Sequence, residues 1–342
     1  MKKFIIAFIS VITILTACLS GCSCAGNQPL NFNSKFYGEN AVSDPPNGYK
    51  ETLTYDVTYK EKLSDLDGKS ALLNDINLDF TGTYISTLEM STSLPEGISS
   101  DITLNLPSDA STFYKLTTKL NVKSTYSGLT DGDGEYEDTI ESTVYFCSFR
   151  LSYAPIYSVI KTDYSILFVT DSSSSVKKLQ SEREILYSKE KYALKETVSE
   201  NTTTSEYEYE FMTLIDNAQL LFALRNIDLT TNSQFLLPTV SYAYGESKNL
   251  IIDNESQTTE QVKIVVNGEE IEDQMPISNL TYMVNDATKA GNPQHVKIQS
   301  DKSEKLAFNS LLYSYVEPLT AYGNMLSMGY LDYTLSNVEI VK

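Results

Sequence analysis

From residue 49 onward, apolar and polar residues alternate along the chain. The segments 53–59, 76–90, 116–122 and 136–146 place most of their apolar side chains at every second position. Neighbouring side chains of a strand point to opposite faces, so this period indicates strands with one buried face. The residues DGDG at 131–134 separate the last two segments, and glycines there favour a tight hairpin turn. We therefore predict that these two segments pair antiparallel.

Shorter runs with the same strand character follow in the rest of the chain. They lie at 165–169, 184–187, 192–198, 207–211, 240–244, 250–252, 262–266, 280–284, 295–299 and 330–340. Gly82 interrupts the long segment 76–90 and indicates a bend or a bulge at that point.

One segment, 216–227, has a different period. Its apolar residues recur at helical spacing and form one stripe, which consists of Leu220, Leu221, Leu224 and Ile227. Asp216 is a suitable N-cap, because its carboxylate can accept a hydrogen bond from a backbone N–H of the first turn. A single helix among many strands predicts a mainly β fold, in which a large antiparallel sheet carries this helix on or within it.

The N-terminus is typical of an export signal. Lys2 and Lys3 precede an apolar run from Phe4 to Leu15. Crossing a bilayer takes about 20 helical residues, so this run is too short to span a membrane. A positive start followed by a short apolar run predicts a secretion signal.

The residues after this run resemble the lipobox of bacterial lipoproteins, in which a cysteine is acylated and becomes the new N-terminus. Leu19-Ser20-Gly21-Cys22 carries the resemblance, and the residues ending in Cys18 are an alternative with the same spacing. The resemblance implies lipidation at Cys22, or at Cys18 in the alternative, and an ordinary secretory signal is the third interpretation. Two acyl chains are enough for stable attachment, so the implied partner is a membrane.

These features divide the chain into three parts. Residues 1–21 form the predicted signal peptide. Residues 22–48 comprise the lipidated cysteine and a tether rich in Gly, Asn, Ser and Pro. Residues 49–342 form the predicted β-rich extracytoplasmic domain. Ser23 rather than Asp follows Cys22, and the choice between an inner and an outer membrane stays open.

Composition narrows the classes of partner. The formal net charge is −19, and such a surface repels phosphate backbones, so we expect no nucleic-acid partner. The chain has 24 Tyr and no Trp. In a β-rich protein we interpret most of these tyrosines as sheet surface. Cys147 lies in a predicted strand and is interpreted as a small buried apolar residue.

The sequence shows no catalytic or metal-binding arrangement. His295 is the only histidine, and the sequence has no nucleophile elbow such as G-x-S-x-G to form a catalytic triad with it. One histidine without clustered thiols also excludes the usual zinc spacings, so we interpret His295 as a surface or structural residue. The acids at 131–138 fit a hairpin better than a Ca²⁺ loop, because Leu129 and Ile140 occupy positions where ligands are needed. Glu206, Glu208 and Glu210 alternate with aromatic residues and are interpreted as the solvated face of a strand. We predict no cofactor, no metal and no enzymatic activity.

The order of the elements resembles a family of uncharacterised bacterial envelope domains, similar in architecture to the half-barrel of LolA- and LolB-like lipoprotein carriers. The resemblance rests on Tyr55-Asp56-Val57-Thr58-Tyr59, on Leu224-Arg225 at the end of the helix, and on Leu236-Leu237-Pro238. It covers residues 49–342 and implies a curved antiparallel sheet, half-barrel-like, with the helix on its concave side. The chain departs from the pattern by extra residues around 60–75 and 124–140.

In such a fold, movement of the helix would open an acyl-chain site lined by Leu220, Leu221 and Leu224; the alternative is that these leucines are simply core. The leading hypothesis is therefore a non-enzymatic lipoprotein, anchored on the extracytoplasmic side of a membrane, that binds an apolar or amphiphilic ligand or an envelope partner. A structural or adhesive surface protein with exposed Tyr-rich sheet faces is the alternative. A carbohydrate-active enzyme is a weaker one.

Overall fold

The computed structural model describes thirteen stretches of the chain: 48–59, 76–91, 93–98, 113–147, 153–169, 173–188, 191–209, 214–225, 234–240, 247–284, 294–299, 311–316 and 331–341. The predicted signal peptide, Cys18, Cys22 and all of the predicted tether except Gly48 lie outside these residues.

Strands form nearly all of the described chain. In chain order they are β1 (Lys50–Tyr59), β2 (Asn77–Ser91), β3 (Phe113–Ser127), β4 (Gly134–Phe146), β5 (Pro155–Val169), β6 (Ser174–Tyr187), β7 (Lys191–Val198), β8 (Asn201–Glu208), β9 (Ile215–Asp216), β10 (Gln234–Val240), β11 (Ser247–Val266), β12 (Glu269–Val284), β13 (Gln294–Gln299), β14 (Leu311–Val316) and β15 (Leu331–Val341). Between β9 and β10 lie a 3-10 turn, Asn217–Gln219, and one short helix, α1 (Leu220–Leu224).

All the strands belong to one fifteen-stranded sheet, in the order β8-β7-β6-β5-β4-β3-β2-β1-β15-β14-β13-β12-β11-β10-β9. Neighbours are antiparallel except β9 and β10, and a second parallel pairing joins the end of β11 to β15. The two terminal strands, β8 and β9, do not pair with each other, so the sheet is not closed into a barrel. The predicted mainly β fold with a large curved sheet is confirmed, and two parallel pairings make the sheet mixed.

Curvature of the sheet brings distant strands around one core. Leu53 of β1, Leu237 of β10 and Ile298 of β13 belong to the same buried cluster, together with Leu220 and Leu224 of α1. The strands carry these residues on alternate positions, and burial of that face excludes water from the concave side of the sheet. The helix lies inside this concavity, as predicted.

The predicted hairpin at 131–134 joins β3 and β4, which pair without a break over the whole length of β4. Gly82, by contrast, marks no bulge, because β2 keeps an unbroken register with both neighbours there. A Cβ atom on Gly82 would lie 2.5 Å from the carbonyl oxygen of Asn121. The glycine is therefore needed for a close approach of two backbones.

Several boundaries differ from the prediction. Segments 250–252 and 262–266 are parts of one strand, β11. They appeared separate in the sequence because the middle of this strand is polar on both faces and shows no period. The predicted helix 216–227 is shorter in the structure: a 3-10 turn precedes α1, and residues 226 and 227 lie outside the described chain. β14 and residues 201–206 of β8 had no counterpart among the predicted strands.

Candidate functional site

The helix α1 is the segment to which the sequence assigned a possible ligand site. Leu220 is 5 % exposed and Leu224 is fully buried, and both pack into the main core. Leu221 is half-buried and contacts the same core at its margin. The structure therefore brings the three leucines to the concave side of the sheet, where their described neighbours are core side chains. Whether they also line an acyl-chain site stays a prediction.

The opposite side of α1 carries Phe222, which enters a cluster of aromatic rings. Its ring centroid lies 5.2 Å from that of Phe146 and 5.2 Å from that of Tyr153. Tyr114 stacks on Phe146 at 5.3 Å and completes the cluster. Tilted and edge-to-face arrangements at these distances add to the stabilisation from burial alone. Both sides of the short helix are thus packed.

Asp216 fixes the N-terminal end of the helical segment. One carboxylate oxygen accepts a hydrogen bond from the backbone N–H of Ala218 at 2.7 Å, and the Gln219 side chain bonds back to the Asp216 N–H at 3.1 Å. This is a capping box, in which the side-chain oxygens of Asp216 and Gln219 accept hydrogen bonds from backbone N–H groups that would otherwise be unpaired. The other carboxylate oxygen accepts from Ser158 Oγ and Tyr187 Oη, each at 2.5 Å. The cap therefore also ties the helix to β5 and β6.

Arg225 fixes the C-terminal end. Its Nη1 and Nη2 atoms lie 2.7 and 3.0 Å from the two carboxylate oxygens of Glu51 in β1, a bidentate arrangement. The side chains are 4 % and 2 % exposed, so the ion pair is buried. The Phe222 ring lies 5.9 Å from the guanidinium carbon. A buried charge is tolerated only with such a partner.

Burial and charge act in opposite directions on this pair. Burial alone would lower the pKa of Arg225, but the adjacent Glu51 carboxylate outweighs it and raises that pKa. Tyr55 lies in the same interior, and burial raises the pKa of its phenol. Both shifts favour the charged guanidinium and the neutral phenol.

The sequence interpretation identified Asp216 as a cap but missed its contacts with Ser158 and Tyr187, and it missed Glu51 altogether. A signal for Glu51 was present. It has the same parity as Leu53, Tyr55 and Val57, so an acid stood in the inward-facing set of β1. An acid at such a position indicates a buried cation partner.

The burial of the tyrosines shows that their interpretation as sheet surface was wrong for many of them. Of those whose side chains the structure describes, none is exposed, and many are fully buried: Tyr55, Tyr114, Tyr126, Tyr153, Tyr187 and Tyr192. Aromatic rings gain more from burial in the core than from contact with water, and the Tyr187 hydroxyl donates a hydrogen bond to Asp216 there. Among the tyrosine side chains that the structure describes there is consequently no exposed Tyr-rich face of the kind the adhesive alternative requires.

The convex side of the sheet carries a polar groove of ≈ 330 Å³ across β4 to β7. Its charged and amide members stand at positions that alternate with inward-facing residues, so they point away from α1. They are Glu141, Lys161, Asp163, Gln180 and Glu182. Hydroxyl-bearing residues complete the lining: Thr139, Thr162, Ser181, Thr197 and Ser199. The sequence did not reveal this groove, because each strand contributes only one or a few residues.

The acids of the groove are paired with lysines. Lys161 Nζ lies 3.4 Å from Glu182 Oε2, and Lys119 Nζ lies 2.5 Å from Glu141 Oε1. Gln180 donates to Asp163 Oδ2 at 3.1 Å, and Lys178 lies 3.3 Å from the other oxygen of that carboxylate. Similar lysine–glutamate pairs continue over the outer face from β2 to β8, at 2.5 to 3.4 Å. The groove is therefore polar but close to charge-balanced.

The remaining candidates of the sequence have ordinary surroundings. His295 is exposed on β13, and Glu206 and Glu208 are exposed on β8, whereas Glu210 lies outside the described residues. Asp133 accepts a hydrogen bond from the Gly128 N–H at 2.7 Å, which closes the predicted hairpin loop. Cys147 is buried, and burial raises the pKa of its thiol to about 12, which makes it unreactive. No cluster of potential metal ligands occurs within the described stretches.

No helix in the described part of the chain is long and apolar enough to cross a membrane. Neither a protein-family model nor a curated protein matches the chain. Among solved structures it is similar to the crystal structure of a beta-barrel-like protein of domain of unknown function DUF1849 from Brucella abortus. The TM-score is 0.47 at 9 % sequence identity, over 87 % of this chain and 100 % of that one.

Proposed function

We propose that the protein is a non-enzymatic lipoprotein of the cell envelope, anchored through Cys22 on the extracytoplasmic side of a membrane, whose sheet is a rigid scaffold for a polar envelope partner. The observation that carries this choice over an apolar ligand is the fixation of α1. A carrier of acyl chains would need this helix to move. Here Asp216 holds one end to β5 and β6, and Arg225 holds the other end to β1.

Moving the helix would carry a high free-energy cost. Displacing Arg225 from Glu51 leaves one buried charge unpaired, which costs about 3–5 kcal/mol. Exposing Leu224, which is fully buried, adds the loss of its packing. An acyl chain would have to repay these terms by its own burial, at about 0.8 kcal/mol for each methylene group.

The outer face has the properties of a surface for a polar partner. Its groove offers hydroxyl, amide and carboxylate groups, and the neighbouring lysines balance the acids. Binding there would require no rearrangement of the core. This favours an uncharged or mixed-charge partner that is rich in hydrogen-bonding groups.

Native mass spectrometry tests the choice between apolar ligand and polar partner. The full chain is released from membranes with detergent and sprayed after exchange into a lipid-free detergent. We expect the mass of the acylated chain without further adducts, and no uptake of added fatty acid or phospholipid. Stoichiometric lipid that a Leu224→Ala variant loses would contradict the proposal and favour the acyl-chain carrier.

Photo-crosslinking in living cells tests the groove directly. A photoreactive residue replaces Gln180 in the groove, and in the matched control it replaces Lys263, which is also exposed but lies on β11. We expect a defined adduct at position 180 that is absent at 263. Equal labelling at the two positions, or none at either, would count against a partner in the groove.

A further inference from the structure

The two ends of the fifteen-stranded sheet differ in length and in protection. At one end, β9 has two residues, both buried, and the neighbouring β10 contains Pro238. At the other end, β8 has eight residues, of which all except Tyr207 are exposed. No other strand of the described chain pairs with its outer edge. Natural sheets usually protect such an edge with proline, with charged side chains, especially lysine, or with a bulge. β8 contains neither proline nor lysine, its register with β7 is unbroken, and its only charged residues are Glu206 and Glu208.

The hairpin between β7 and β8 determines which backbone groups face outward. Val198 pairs with Asn201 across a two-residue turn, and Ser199 has φ 55°. In such a hairpin the closing pair is hydrogen-bonded, and bonded and non-bonded pairs then alternate. Thr197 and Thr202 therefore form a non-bonded pair, and their hydroxyl oxygens lie 3.0 Å apart, as expected for its closer side chains. The N–H and C=O groups that point away from β7, in the plane of the sheet, thus belong to Thr202, Thr204, Glu206 and Glu208.

We infer that this edge of β8 is a dimerisation site, and that its occupant is β8 of a second copy of the chain, paired antiparallel about a two-fold axis. A residue whose backbone groups point away from β7 must pair with a residue of the second copy whose backbone groups also point away from its own β7. A register with Thr202 opposite Glu208 and Thr204 opposite Glu206 of the second copy satisfies this requirement for every outward group. No two glutamates face each other in this register.

The side chains of the intervening residues of β8, which lie on the opposite face of the strand, fit the same register. Thr203 stands opposite Tyr207 of the second copy, a β-branched and aromatic pair of the kind that stabilises sheets. Ser205 lies on the axis and faces its own counterpart. Shifting the register by one pair in one direction would place Glu208 opposite Glu200, and in the other direction Glu206 opposite Glu206 of the second copy; either shift loses hydrogen bonds along the edge. The edge is thus self-complementary in one arrangement, independently of the function proposed for the groove.

Disulfide trapping in native membranes tests this inference with the full chain. In a non-bonded antiparallel pair the Cα atoms lie about 4.5 Å apart, within the reach of a disulfide. Ser205→Cys should therefore form a covalent dimer under mild oxidation, several-fold more than the matched variant Thr203→Cys, which faces Tyr207. The unsubstituted chain gives the background from its natural cysteines.

A second variant separates edge pairing from folding. The N–H of Thr204 points outward, so Thr204→Pro blocks the edge without removing a bond to β7. Combined with Ser205→Cys, it should lower trapping at least tenfold while the melting temperature stays within a few degrees. Equal trapping at 203 and 205, or trapping that the proline leaves unchanged, would overturn the inference. So would the absence of trapping at both positions, because the edge would then have another occupant or none.

Discussion

The concave and convex sides of the sheet use the same ion-pair chemistry in two different surroundings. Inside, Glu51 and Arg225 lie 2.7 Å apart with side chains 2 % and 4 % exposed. Outside, Glu141 and Lys119 lie 2.5 Å apart with side chains 48 % and 46 % exposed. The distances are similar, but water screens only the outer pair. Environment rather than contact distance therefore decides what each pair contributes.

This difference in solvent exposure gives the ion pairs on the two sides of the sheet different effects on stability. The inner pair and the Asp216 cap hold the helix in a dry interior, where an unpaired group is costly. The outer pairs lie in water, where each contributes little to stability, so rearranging them for the partner proposed above would cost little. The inside is thus suited to fixing the helix, and the outside is suited to reversible recognition.

Arg225→Met is expected to have the largest effect, because it leaves the Glu51 carboxylate buried without a cation. The free energy of unfolding, measured by urea denaturation, should fall by about 3–5 kcal/mol. The double variant Glu51→Leu with Arg225→Met removes both charges and should recover most of this loss. A decrease below about 1 kcal/mol for the single variant would place the inner pair in the same class as the outer ones.

Leu224→Ala tests the packing of the helix rather than its charges. It should lower the free energy of unfolding by about 2–5 kcal/mol, since it leaves a cavity in a closed core. Leu221→Ala, at the half-buried margin, is the matched control and should cost clearly less. Equal losses at the two positions, seen in the same urea titrations, would argue against the fully packed inner side.

Alkaline pH should destabilise the interior through its tyrosines. Burial raises the pKa of Tyr84 from 10.0 to about 12, because the charged phenolate is disfavoured there. The stability linked to this group is therefore complete below the unfolded-state pKa and is lost as pH rises from 10.0 toward 12. Circular dichroism and phenolate absorbance should change together in that range. Tyr84→Phe should shift the transition upward, and an unshifted transition would exclude this cause.

Lys119→Met, on the outer face, is expected to have the smallest effect. Breaking this exposed pair should change the free energy of unfolding by about 0–1 kcal/mol, and salt should reduce the change further. Urea titrations at low and high salt measure both quantities. A loss as large as that of Arg225→Met would mean that the outer pairs are structural.

Sequence periodicity predicted the strands that have one face in water and one in the core. β3 is the clearest example, since Leu116, Leu120 and Val122 are all buried. The same reasoning failed for β8 and for the middle of β11, where both faces are polar and backbone pairing alone defines the strand. Alternation reports burial, so it is silent where a strand extends beyond the core.

The contacts of the helix were predictable only in part. The cap at Asp216 follows from local sequence, because its partners Ala218 and Gln219 are close in the chain. The pairing of Arg225 with Glu51 joins residues far apart in sequence, and only the curvature of the sheet brings them together. The outer groove is likewise assembled from four strands. Such sites depend on register and curvature, which alternation does not specify.

The central claim is that α1 is a fixed part of the core. Native-state hydrogen exchange of the amides of Ala223 and Leu224 tests it most directly. If α1 is fixed, these amides exchange only through global unfolding, with the same free energy as the core strand β1, and added lipid leaves their rates unchanged. Exchange through a local opening of lower free energy, accelerated by lipid, would contradict it and identify the helix as a moving element.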